Sequence, residues 1–199
     1  MRAQLLGKTP DELKEIALKA GLPAFAGKQL AQWLYVRKVR GIDEMTNISK
    51  VGRERLKEEY SLGLTLPSAC QVSSDGTKKY LFPVGEGNAV EAVMIPDEER
   101  KTLCVSSQAG CRMGCRFCMT GRQGFHGNLS TAEILSQFIG IDEAGGLTNA
   151  VFMGMGEPLD NLDNVLRAIE VLTADWGFGW SPKRITLSTI GVLPNLRRY

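Results

Sequence analysis

Thr102-Leu103-Cys104-Val105-Ser106-Ser107, then Gln108-Ala109-Gly110, then Cys111-Arg112-Met113-Gly114-Cys115-Arg116-Phe117-Cys118: an apolar, β-prone run leads directly into a loop with three thiols. The pattern predicts a strand over 102–107 that ends just short of the cysteines. Three thiolates in so short a loop suit three irons of a four-iron cluster, which leaves the fourth iron without a protein ligand and open to a substrate. A zinc site completed by Cys104 or His126 is the alternative. Zinc ligands are usually spaced as two separated pairs, so three cysteines packed this closely favour the cluster. His126, the single histidine, lies in Gly124-Phe125-His126-Gly127 and reads as a loop residue.

Beyond the cysteines, strands alternate with helices. Ser130-Thr131-Ala132-Glu133 is a capping-box start for a helix whose Ile134, Leu135, Phe138 and Ile139 face inward. A second strand is expected over 149–153, a second helix over 161–174 with Leu162, Val165, Leu166, Ile169 and Leu172 on one face, and a third strand over 184–188. Strand, helix, strand, helix, strand implies a parallel sheet with right-handed crossovers. Three strands cannot close a barrel, so the expectation is a small open sheet or part of a larger domain.

In such folds ligands sit at the C-terminal ends of parallel strands. There the sequence places the cysteine loop, then Met153-Gly154-Met155-Gly156-Glu157-Pro158, then Ser188. The glycines are expected to let a ligand approach the backbone, and Glu157 to accept a hydrogen bond from an ammonium group. An ordinary strand-to-helix turn is the plainer reading of that loop, and a satisfied strand end the plainer reading of Ser188.

Toward the N-terminus the period changes. Residues 68–96 read as a small antiparallel connector, with a hairpin at Ser74-Asp75-Gly76 between 69–73 and 78–82, a turn at 85–88 and a β-rich run over 89–95. Within that run Glu91 has apolar neighbours on both strand faces. Partial burial beside a partner is expected, an edge strand with Glu91 facing water being the alternative. Cys104 can equally be a small core residue. The first sixty residues read as helical: Thr9-Pro10-Asp11-Glu12 opens one helix, with further helices over 26–38 and 50–60. Trp33 and Tyr35 are candidates for stacking on bases, although core packing is the plainer use of Trp33.

The chain has 199 residues, 43% of them apolar, which suits a folded globular protein and excludes a disordered one. Net charge is +2, yet residues 1–60 hold 12 Lys and Arg against 8 Asp and Glu, a weak pointer to an anionic partner. Apolar runs are short and the first 21 residues are charged, so neither a membrane span nor a signal peptide is expected, and the cytoplasm is the default location. There thiols stay reduced, so the clustered cysteines read as metal or redox chemistry.

Several stretches together carry a resemblance. They are Val90-Glu91-Ala92-Val93-Met94-Ile95-Pro96, the run from Leu103 to Cys111, Phe117 directly before the last cysteine, Gly124-Phe125, Gly154-Met155-Gly156-Glu157-Pro158-Leu159 and Thr186-Leu187-Ser188-Thr189. They resemble the radical S-adenosylmethionine RNA methyltransferases that methylate carbon 2 of an adenine in 23S rRNA and tRNA. The resemblance implies an α/β fold, a partial radical-SAM (β/α) barrel over 99–199. Before it would come a helical accessory, RNA-binding domain over 1–62 and the β connector over 63–98. It implies a [4Fe-4S] cluster on Cys111, Cys115 and Cys118, and S-adenosylmethionine held by Gly156, Glu157 and Ser188. Glu91 resembles the proton acceptor, and Cys104 the cysteine that resolves a covalent protein–RNA intermediate through a transient disulfide.

Further implications are 23S rRNA and tRNA as partners, a flavodoxin or ferredoxin as electron donor, and a monomer in the cytoplasm without membrane contact. The family uses two cofactor molecules: one methylates a C-terminal cysteine, and the other yields the 5′-deoxyadenosyl radical that activates this methyl group. No cysteine follows Cys118. The chain therefore resembles the N-terminal part of such an enzyme and is not expected to complete methyl transfer alone. A zinc-stabilised RNA-binding module without catalysis is the competing reading.

Overall fold

Helix starts and hairpin turns written into the sequence set the scaffold. The computed structural model describes residues 2–85 and 87–198; Met1, Tyr199 and Glu86, which falls in the turn expected at 85–88, lie outside the described residues. The two-residue strand β1 (Ala3–Gln4) precedes α1 (Pro10–Lys19). At the start of α1 the Thr9 hydroxyl accepts from the Glu12 amide and the Glu12 carboxylate accepts from the Thr9 amide at 2.7 Å, closing the capping box. Leu13, Ile16 and Ala17 form its buried stripe.

The helix expected over 26–38 is divided. α2 (Ala26–Ala31) passes into a π-helical turn, Gln32–Val36. The widened turn lets three successive residues, Trp33, Leu34 and Tyr35, all face the core, which regular α spacing does not allow. α3 (Lys50–Glu59) is capped by Ser49, and the chain leaves it through β2 (Tyr60–Ser61), which pairs in parallel with β1.

One six-stranded sheet follows. β3 (Ala69–Val72), β4 (Lys78–Val84), β5 (Asn88–Asp97) and β6 (Arg100–Cys104) form an antiparallel meander. Asp75 fixes the first hairpin by accepting from the amide and hydroxyl of Thr77, with Gly76 at φ +82°. Beyond β6 the chain leaves the sheet for a small antiparallel pair, β7 (Gln108–Gly110) and β8 (Phe125–Asn128), with α4 (Met119–Arg122) between them. Then come α5 (Thr131–Ile139), β9 (Asn149–Phe152), α6 (Leu162–Thr173), β10 (Ile185–Leu187) and α7 (Leu193–Leu196). The strand order is β10-β9-β6-β5-β4-β3.

β6, β9 and β10 run parallel, as the alternating pattern requires. The connector strands belong to the same sheet, so β5 covers the flank of β6 that a sheet of three would leave unpaired. The first parallel strand is shorter than 102–107. After Val105 the chain turns off the sheet: Gln137 both accepts from the amide of buried Ser106 and donates to its carbonyl, each at 2.9 Å, while the amides of Ser107 and Gln108 donate to the Met155 carbonyl.

Directly paired residues share a face. Gln71, Lys79, Val93, Cys104, Val151 and Thr186 therefore make one row across all six strands. On the opposite face Tyr80, Phe82, Val90, Ala92, Met94, Leu103, Ala150 and Phe152 are buried in a core shared with Phe138 of α5 and Val165 of α6. The first face is open. The core is continuous with the N-terminal helices, and Tyr35 lies 5.5 Å from the ring of Trp176.

Candidate cluster and cofactor site

Cys111, Cys115 and Cys118 sit in the loop between β7 and α4, each partly exposed and each a free thiol. Gly114 (φ +62°, with open space around its α-carbon) turns the loop between the first two. α4 packs back onto it, and a methyl group on Gly121 would lie 3.1 Å from the Cys115 amide. Hydrogen bonds from the Gly121 amide and then from Thr120 hold the Cys118 thiol below its ordinary pKa against a small opposing effect of burial, favouring the thiolate.

Neither proposed fourth ligand joins them. Cys104 is in mid-sheet between Val93 and Val151, where burial raises its pKa and the Met153 amide offsets this in part. His126 lies on β8 and not in a loop; it is exposed, its Nε2 3.0 Å from the Gln123 carbonyl. Among the described residues no three Cys, His, Asp or Glu side chains converge on one point as a single ion demands. Three free thiols on one loop are a donor set that fits three irons of a four-iron cluster, leaving one corner without a protein ligand.

The loop after β9 departs from expectation in one respect. A methyl group on Gly154 would stand 2.6 Å from the Val105 carbonyl, and one on Gly156 (φ +98°) 2.5 Å from the Gln108 β-carbon. The close approach that these glycines permit is to the protein's own strand and not to open space. Glu157, 4% exposed, is tied to all three strand ends. Its amide donates to Gln108 Oε1 at 2.9 Å, its Oε1 accepts from the Leu159 amide and the Thr189 hydroxyl, and its Oε2 accepts from the Ile190 amide at 3.0 Å. A carboxylate offers about four acceptor positions, so Oε2 keeps one. Ser188, exposed, follows β10 directly, and its amide reaches the Phe152 carbonyl at 3.4 Å.

Glu91 satisfies half of each expectation. It is half exposed, yet β5 is interior to the sheet; the open face explains the exposure, and Lys79 Nζ at 3.1 Å is the partner. Glu91 and Cys104 share that face on adjacent strands, Cys104 lying opposite Val93. Trp33 packs in the core, its plainer reading, and the base-stacking alternative is corrected for both rings: Tyr35 is buried too, its hydroxyl donating to the Lys8 carbonyl while accepting from the Gly7 amide.

Gln108, Asp160 and Arg112 carry much of the site's internal bonding and were not singled out by sequence reasoning. Their one signal is polarity: a glutamine directly ahead of a cysteine loop, in a segment otherwise built of small and apolar residues.

A family model described as Radical SAM superfamily matches residues 105–199, and one described as Ribosomal RNA large subunit methyltransferase N-terminal domain matches residues 3–62. The protein named "Probable dual-specificity RNA methyltransferase RlmN" of Porphyromonas gingivalis is 63% identical over 187 residues, covering 94% of this chain and 55% of that protein. The "Dual-specificity RNA methyltransferase RlmN" of Geobacter sulfurreducens is 44% identical over 192 residues, covering 96% of this chain and 53% of that protein. A crystal structure of a radical SAM methyltransferase from Sphaerobacter thermophilus matches with a TM-score of 0.91 at 35% identity, over 98% of this chain and 59% of that one. The chain spans about half the length of the curated relatives it matches. With its N-terminal segment matching one model and its thiol loop and parallel strands the other, the chain belongs to the RlmN family of radical SAM proteins.

Proposed function

We propose that this chain carries the cluster-binding and cofactor-binding part of a radical S-adenosylmethionine methyltransferase that acts on carbon 2 of an adenine in 23S rRNA and tRNA. The observation that supports this best is the convergence on Glu157. Its amide is bonded to the residue chain leading into the cysteine loop, and its carboxylate to the residues after β10. The three strand ends that bear the thiols, Gly156-Glu157 and Ser188 are thereby drawn together.

In this reading Cys111, Cys115 and Cys118 hold a [4Fe-4S] cluster, and Gly156, Glu157 and Ser188 hold S-adenosylmethionine. When bound, the cluster supplies the electron that cleaves the cofactor. The remaining Oε2 acceptor position of Glu157 takes the ammonium group, and Gly156 keeps its backbone close against β7. Glu91 accepts a proton on the open sheet face, where Lys79 Nζ lies 3.1 Å from its carboxylate. Cys104, on the same face, resolves the covalent intermediate. Methyl transfer also calls for a methyl-carrying cysteine, and none follows Cys118.

Residues 1–62, with their basic excess, hold RNA, and residues 63–98 connect them to the core over 99–199. A flavodoxin or ferredoxin delivers the electron to a monomeric, cytoplasmic protein. No described helix is long and apolar enough to cross a membrane.

Anaerobic reconstitution with iron and sulfide tests the reading. The expected result is about four irons per chain with broad absorption near ~400 nm, and release of 5′-deoxyadenosine when a reductant and S-adenosylmethionine are added. A colourless chain that instead binds one zinc tightly refutes it.

A further inference from the structure

We propose that Arg112, Asp160 and Gln108 form a positioning relay that fixes the cysteine loop against the loop at 154–158, and so sets where S-adenosylmethionine meets the cluster. The proposal rests on the function proposed above and assigns positioning roles to three residues outside the thiol and cofactor set. Its core is the amide of Gln108, which is fully buried. Nε2 donates to Asn128 Oδ1 and to Asp160 Oδ2, each at 2.8 Å, and Oε1 accepts from the Glu157 amide at 2.9 Å. Both amide protons are used and the orientation of the side chain is fixed.

Asp160 Oδ2 also receives Arg112 Nε at 2.9 Å. Arg112 follows Cys111 directly in the chain, and its guanidinium lies 3.8 Å from the ring centre of Phe125, whose backbone pairs with Gly110. Asp160 in turn shares the short helical turn that begins after Glu157, its amide donating to the Glu157 carbonyl at 3.0 Å. An unbroken path of two side-chain bonds and one ion pair thus runs from the residue beside Cys111 to Glu157. An isolated pair as exposed as Arg112 contributes little. Here its carboxylate oxygen is shared with a buried amide, and the cation is stacked on a ring, so a shift of the cysteine loop disturbs every link.

The test uses the full chain, reconstituted anaerobically and kept oxidised so that the cofactor binds without being cleaved. Iron content, melting temperature and S-adenosylmethionine affinity by calorimetry are compared for wild type, Arg112→Gln, Asp160→Asn and the double variant. All three thiols remain, so iron uptake is expected to match wild type. The dissociation constant is expected to rise about tenfold in each single variant, a size usual for losing a charge-assisted hydrogen bond. The double variant is expected to be no weaker than the singles, because the two changes break one link. Wild-type affinity in both singles overturns the relay, as does lowered iron or melting temperature with affinity retained, which marks the pair as structural only. A wild-type chain that takes up no iron overturns the proposed function itself, and with it the relay.

Discussion

A thiol's reactivity follows its surroundings, and this chain places two free cysteines in contrasting ones on a single sheet. Cys70 lies on the outermost strand and is exposed, whereas Cys104 sits between β5 and β9 with its pKa raised by burial. A raised value means less thiolate at a given pH, and partial burial slows access further. In the unreconstituted chain at pH 8, iodoacetamide is expected to label Cys104 about tenfold more slowly than Cys70, as followed by peptide mass spectrometry. Equal rates contradict this assignment. Cys104 thus starts as a protected thiol, which suits a residue that reacts only after another event exposes or activates it.

Elements far apart in sequence are fastened by few polar contacts, and Glu143 is the clearest. In the segment between α5 and β9 its carboxylate accepts from the Tyr80 hydroxyl at 2.6 Å and pairs with Lys78, both on β4. Partial burial acts to raise its pKa, but these two donors outweigh it and the net shift is downward. A carboxyl whose folded value lies below its unfolded one stabilises at neutral pH, and that contribution is lost as pH falls through the folded value. Glu143→Gln is therefore expected to lower stability by about 1–3 kcal/mol at pH 7, with the gap narrowing below about pH 4. Urea unfolding at both pH values measures it; a gap that stays constant contradicts the linkage.

The start of α5 was legible because Ser130 and Glu133 form its cap from local sequence alone, and β9 and β10 were legible from apolar runs at βαβ spacing. The π-helical turn was not, since Gln32 to Val36 has ordinary helix-forming residues and the tertiary packing of Tyr35 decides the register. Nor was the two-residue pairing of β1 with β2, which is too short to leave a pattern. Of the site, the thiols and Glu157 were readable from spacing, whereas the bonds of Gln108 depend on which distant loops meet it, and no local rule specifies that.

At the scale of the molecule, one apolar core runs from Leu13 of α1 through the sheet to Trp180. Lys38 reinforces the junction, donating to the Ala144 carbonyl at 2.6 Å and lying over the Phe178 ring. A shared core couples the stability of its parts. Thermal unfolding followed by far-ultraviolet circular dichroism and by tryptophan fluorescence is expected to give coincident transitions, and Phe138→Ala to destabilise by about 3–5 kcal/mol in both signals. Two separated transitions contradict this.

The sheet's uncovered face has a practical consequence. Leu81 and Ile95 lie there in water on the same face as Val93 and Val151, although Leu81 is paired with strands on both sides and Ile95 with β6. A fluorescent dye such as anilinonaphthalene sulfonate adheres to surface of that kind. Bright emission from this chain would then report a native, well-packed state, and the loosening that such emission usually signals has to be judged here from near-ultraviolet dichroism instead.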